Sequence, residues 1–213
     1  MNRQRVAGAT AAPRFEAEAL AIAAIGPIDF TLAAGDCLGL AAPSGAGKTR
    51  LLRAMADLDA HAGSCRLDGH PAEVFSAPDW RRRVMFLPAE SAWWFDTPRP
   101  HIRPDRLAAR LAALDLDTRL LDQPIERISS GQRQRLALIR LLSYNPDVLL
   151  LDEPTANLDG PNIERVEALI DEYRQQNDAC CIWVGHDRGQ LERVATQHLV
   201  LDAAGKPTDT PCS

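Results

Sequence analysis

Residues 37–58 constrain the fold more than any other stretch. An apolar run, CLGLAA, leads through a glycine-containing loop into TRLLRAMADL, which places Leu51, Leu52 and Met55 on one helical face. The loop, APSGAGKT at 42–49, follows the phosphate-loop pattern G-x-x-x-x-G-K-S/T with Gly47, Lys48 and Thr49 in place and Ala42 where the first glycine stands. Strand, loop and helix in that order make a βα unit of a parallel sheet. Glycines let the loop that runs from Pro43 through Ser44, Gly45, Ala46 and Gly47 to Arg50 curl, so that backbone N–H groups after Pro43 surround phosphate oxygens at a helix N-terminus. Lys48 is placed to reach the β- and γ-phosphates and the Thr49 hydroxyl to ligate Mg²⁺. Ala42 fits this loop if its φ is negative. Of 24 basic residues only Lys48 and Lys206 are lysine, so a lysine at 48 points to a need for a compact ammonium.

A second motif supplies the other half of such a site. Residues 148–153 read VLLLDE, an apolar strand ending in two carboxylates at the edge where α/β sheets bind ligands. Asp152 is the candidate for holding Mg²⁺, directly or through water, and Glu153 for polarising an attacking water.

The rest of the chain agrees with an α/β class. Short apolar segments at 14–22, 28–32 and 36–42 alternate with turns, and strands are expected at 64–70 and 83–87. The last third alternates strand and helix at 148–151, 161–174, 180–184, 188–194 and 198–201, and runs such as CCIWV suit a sheet covered on both faces. Residues 91–142 break that rhythm. They read as a helical insert, with helices at 105–114 and from a Ser129 or Ser130 cap to about 142. Residues 1–13 and 206–213 are expected to be loose.

Composition excludes several classes. No apolar run approaches the ~20 residues of a membrane-spanning helix, and the N-terminal residues lack a signal-peptide core. A cytosolic location follows as the expectation. The net charge of −5 gives no basic footprint for nucleic acid. Five cysteines without a C-x-x-C suggest buried, inert thiols.

A third motif gives the chain a family likeness. ISSGQRQRLALIRLL at 128–142 is similar to the LSGGQ signature of ATP-binding cassette (ABC) ATPases, and the resemblance covers about residues 14–202. Ser129, Gly131 and Gln132 match it, and Ser130 replaces a glycine. ANLD at 156–159 and WVGHD at 183–187 fall in family order, with Asp159 as the acid of the loop between subunits and His186 as a γ-phosphate contact. The resemblance implies a P-loop NTPase core with a mostly parallel sheet, an N-terminal antiparallel β part and a small helical subdomain at about 91–142, in one domain over 14–205. It implies ATP and Mg²⁺ as cofactors, with Lys48, Glu153 and His186 catalytic and Thr49 and Asp152 at the metal. It also implies a homodimer or pseudo-dimer in which Ser129–Gln132 act on the opposite subunit's ATP, and a separate transmembrane subunit that holds the protein on the cytoplasmic face.

Three departures stand out. The family's glutamine after the strand at 84–88 is replaced by Ala89, which leaves Glu90 as a further metal candidate. No aromatic lies between Leu20 and Phe30 to stack on adenine, so base stacking is expected to be weak or to come from an aliphatic residue such as Ile25. Trp93, Trp94 and Phe95 have two readings: a groove for a membrane subunit's helix, or packing of the insert. FDT at 95–97 and the chain's compactness also resemble small bacterial iron-export ATP-binding proteins. The rival functions are a non-transport ABC ATPase acting on nucleic acid or ribosomes, and a weakly catalytic regulatory subunit.

Overall fold

Period-two burial sets the architecture. Along the runs at 148–152 and 180–184 every side chain is buried, and successive side chains enter different cores. Such strands need cover on both faces. The computed structural model describes residues 13–208. Its strands are β1 (Pro13–Ile22), β2 (Ile25–Ala33), β3 (Cys37–Ala41), β4 (Ala62–Leu67), β5 (His70–Pro71), β6 (Val84–Leu87), β7 (Val148–Asp152), β8 (Cys180–Val184) and β9 (Gln197–Val200). The α-helices are α1 (Lys48–Met55), α2 (Ala77–Arg83), α3 (Leu107–Ala113), α4 (Ser130–Leu142), α5 (Gly160–Gln176) and α6 (Arg188–Val194).

The strands form two sheets. One is antiparallel in the order β2-β1-β4-β5, and the other is parallel in the order β6-β7-β8-β3-β9. Val148, Leu150, Cys180, Ile182, Leu38 and Leu40 join the antiparallel sheet, Leu51, Leu52 and Trp80 in one core. Leu149, Leu151, Cys181, Trp183 and Cys37 face the other way, onto α4, α5 and the residues around α3. The parallel sheet is therefore sandwiched, with the carboxyl ends of β3 and β7 opening on one edge.

Helix starts are set by capping. Ser129 caps α4 in a capping box with Gln132, Asp159 caps α5, and Asp187 caps α6. The insert at 91–142 holds α3, α4 and short 3₁₀ turns at Arg99–His101, Thr118–Asp122 and Ile125–Arg127. Four of the five cysteines are buried free thiols, and burial pushes Cys65 up to about 12; Cys212 lies outside the described residues.

The termini correct one expectation. Lys206–Thr208 are not loose: Pro207 bridges Leu201, and Thr208 N donates to Val200 O at 2.9 Å. Pro13 pairs with Ala33 in β1. The expectations for residues 1–12 and 209–213 lie outside the described residues.

Candidate functional site

The loop between β3 and α1 turns on two left-handed glycines, Gly45 at φ 77° and Gly47 at φ 100°. Ala42 is not among the left-handed residues, so alanine costs nothing in backbone strain there. Lys48 is buried, and its Nζ donates to Ala42 O at 2.9 Å and Pro43 O at 3.2 Å, which folds the ammonium under the loop. Ala46 N donates to Pro43 O at 3.2 Å and closes the turn.

Two further motifs, VLLLDE and WVGHD, converge on this loop. Thr49 Oγ1 donates to Asp152 Oδ2 at 2.6 Å. Burial raises the Asp152 pKa, Glu153 adds to the rise, and the Thr49 hydrogen bond and Lys48 oppose it. His186 Nε2 lies 2.7 Å from Glu153 Oε1. Glu153 sits at φ 50°, an unusual backbone for a non-glycine residue, and its N–H donates to Val184 O at 3.0 Å. Ser44, Gly45, Gly47, Lys48, Thr49, Arg50, Asp152, Glu153 and His186 line one open cleft of about 370 Å³. Pro43 and Ala46 shape the loop without lining the cleft.

The donor set suits Mg²⁺. A hydroxyl and a carboxylate oxygen, already in contact, are hard ligands that leave further positions for phosphate oxygens and water. Among the described residues no group of three or more His, Cys, Asp or Glu side chains forms an all-protein metal cage.

The remaining candidates lie elsewhere. Ser130 lines a second cleft, of about 210 Å³, with Ala89, Glu90, Ser91, Trp93, Arg133, Gln134, Ala156 and Asn157. Glu90 is thus in the neighbouring cleft and does not line the one containing Thr49 and Asp152. Ser129 and Ser130 are exposed, and Gly131 packs against Leu158, where an added Cβ would lie 3.0 Å from Leu158 Cδ2. Asp159 Oδ1 accepts from Asn162 N at 3.2 Å and Asn162 Nδ2 at 2.6 Å. None of the residues at 129–132 or 159 reaches the Lys48 cleft of its own chain.

Two readings change. Ile25 is 2% exposed and belongs to the core, so it offers no surface to a base. The aliphatic atoms beside Gly47 come also from half-buried Ile22 and exposed Ala24. The three aromatics split: Trp93 packs against the core under Arg140, whereas Trp94 is 67% and Phe95 50% exposed. All three surround the buried His101, whose Nε2 accepts from Phe95 N at 3.1 Å.

Sequence reading missed one set of residues. Thr155, Glu167 and Gln190 hydrogen-bond beside the site, linking positions 35 and 23 residues apart, and no local spacing signals such a contact.

The pattern of the family described as ABC transporter matches residues 25–156. The hemin import ATP-binding protein HmuV of Nocardia farcinica is 37% identical over 201 residues, covering 86% of this chain and 69% of that protein. The probable iron export ATP-binding protein FetA of Escherichia coli is 30% identical over 176 residues, covering 77% of this chain and 78% of that protein. The solved structure of cbiO1 from Clostridium perfringens, described as part of an ABC transporter complex, superposes with a TM-score of 0.76 over 92% of this chain and 87% of that one; at 20% identity the likeness is one of fold.

Proposed function

The chain belongs to the ABC transporter family, and on that premise we propose that it is the subunit that binds ATP with Mg²⁺ and hydrolyses it to drive a separate transmembrane partner. The observation that carries the reading is the single cleft shared by Lys48, Thr49, Asp152, Glu153 and His186. One ATPase domain spans 14–205, with a helical subdomain at about 91–142.

Each side chain has a task there. Loop N–H groups and the α1 N-terminus cradle the phosphates, and Lys48 leaves its carbonyl partners for phosphate oxygens. Thr49 and Asp152 hold the metal, which neutralises phosphate charge when bound. Glu153 orients a water and accepts its proton. His186 donates to Glu153, fixes the direction of that carboxylate and stands at the cleft's rim beside the terminal phosphate.

Among the described residues no helix is long and apolar enough to cross a membrane, which suits a subunit held at the cytoplasmic face by its partner. The exposed pair Trp94 and Phe95 gives that partner an apolar anchor. No direct nucleic-acid contact is needed. Ser129–Gln132 complete the site of a second ATPase subunit in a head-to-tail dimer. One relative's name specifies import and another's export, so the proposal ends at transport without a direction.

Phosphate release by the full chain with Mg²⁺ and ATP tests the reading. Glu153→Gln is expected to bind ATP normally and to lose about 10²-fold or more in turnover. Hydrolysis at the parent rate by that variant would reject it.

A further inference from the structure

Glu153 and His186 sit on different loops, and their contact is not the only bond between those loops. Two residues after Glu153, Thr155 Oγ1 donates to Gln190 Oε1 at 3.0 Å. Gln190 lies on α6, the helix that Asp187 caps directly after His186. The other half of the same amide is also used: Gln190 Nε2 donates to Glu167 Oε1 on α5 at 2.8 Å. Glu167 is held in turn by Arg193, whose NH2 lies 2.9 Å from Oε1.

Gln190 is 5% exposed. Leucine would fill a similar volume without the desolvation cost of an amide. An amide adds direction, because one side only accepts and the other only donates. Here the acceptor side reads the Thr155 hydroxyl and the donor side reads the Glu167 carboxylate.

The tethered turn is one that requires outside support. Glu153 adopts φ 50°, and such a backbone persists where its surroundings over-determine it. Ala156 N closes the turn onto Glu153 O at 3.0 Å, and the Thr155 hydroxyl is its outer anchor. We propose that Gln190 is a positioning residue: through Thr155 and Glu167 it ties the turn bearing Glu153 to the helix after His186, and so aims the carboxylate that activates water. The inference rests on the hydrolytic reading of the cleft. It predicts a separation of effects, because the loop at 42–50 that holds nucleotide takes no part in the tether.

The test measures kcat, KM and ATP affinity of the full chain with Mg²⁺, alongside melting temperature. Gln190→Leu and Thr155→Val should each lower kcat about tenfold with ATP affinity within about twofold of the parent. Gln190→Glu should lose as much, because it sets two carboxylates together. The double variant Gln190→Glu with Glu167→Gln should recover most of that loss, because a glutamine at 167 donates to a glutamate at 190. Parent-like kcat in Gln190→Leu and Thr155→Val overturns the inference, as does failure of the exchanged pair to recover. A kcat loss that tracks a fall in both melting temperature and ATP affinity marks a folding defect and also overturns it. If Glu153→Gln hydrolyses ATP at the parent rate, the reading of the cleft fails and takes the inference with it. If Glu153→Gln is inactive and the Gln190 and Thr155 variants are not impaired, the inference alone fails.

Discussion

Gly47 and His101 show how single positions carry distinct costs. Gly47 is left-handed, and a Cβ there would sit 3.4 Å from both Ile22 Cδ1 and Ala24 Cβ. Gly47→Ala is expected to cost about 1–2 kcal/mol of backbone strain and to weaken ATP binding together with stability. A calorimetric titration with ATP that overlays the parent would refute this. His101 is 2% exposed beneath three aromatic rings, and burial lowers its pKa, with Arg140 adding to the fall. A depressed imidazole pKa means that the unfolded chain binds the proton first. Stability is therefore whole above the ordinary imidazole value and declines as pH falls from there towards the folded value. Protonation would also put a donor on Nε2, where Phe95 N now donates. Urea unfolding between pH 7.5 and pH 5 should show this decline in the parent, and His101→Leu should flatten it; equal slopes would exclude His101 as the source.

Secondary elements begin on side chains to which the proposed chemistry also gives a task. Ser129 Oγ accepts from Gln132 N at 3.3 Å, and Gln132 Oε1 accepts from Ser129 N at 3.1 Å, so the residue proposed to meet the opposite subunit's phosphate is also the start of α4. Ser129→Ala should destabilise the protein by about 1 kcal/mol and lower its melting temperature by about 2–4 °C. Ser129→Asp keeps a good cap, so its melting temperature should match the parent while hydrolysis falls, because a carboxylate repels an approaching phosphate. Retained hydrolysis in Ser129→Asp would confine Ser129 to capping. Element scale also shows what sequence made legible. β7 and β8 were readable because both faces are buried and the apolar run is unbroken. α2 was not, since only Trp80 of its seven residues is buried and three arginines end it. The 3₁₀ turns at Arg99–His101, Thr118–Asp122 and Ile125–Arg127 are too short to repeat an apolar spacing and leave no pattern. The site divided in the same way. APSGAGKT and VLLLDE are contiguous strings, whereas the Gln190 tether exists only after three separate elements have packed. Ile25 is core where it was open to face a base, because an apolar residue near a ligand loop reads alike whether it faces the ligand or the core.

At the scale of the whole molecule, the two parts of the proposed composite site line separate clefts of one chain. Lys48, Thr49, Asp152, Glu153 and His186 line one cleft, while Ser130 lines another and Ser129 is exposed. A twofold dimer that pairs each half with its complement makes two composite sites from identical chains. Mixing tests this without any knowledge of the transported substrate. A Lys48→Ala chain lacks the phosphate ammonium but keeps Ser129, and a Ser129→Asp chain lacks a phosphate-compatible cap but keeps Lys48. Each alone should be nearly inactive, because both sites of its homodimer carry one defect. In an equal mixture half of the dimers are mixed, and each mixed dimer joins an intact Lys48 to an intact Ser129 at one site and both defects at the other. With independent sites the mixture should recover about one quarter of the parent rate. Because Ser129→Asp preserves the α4 cap, a fold defect in that chain does not explain its loss. Activity in the mixture no greater than in either variant alone would mean that the signature segment does not serve an opposite subunit.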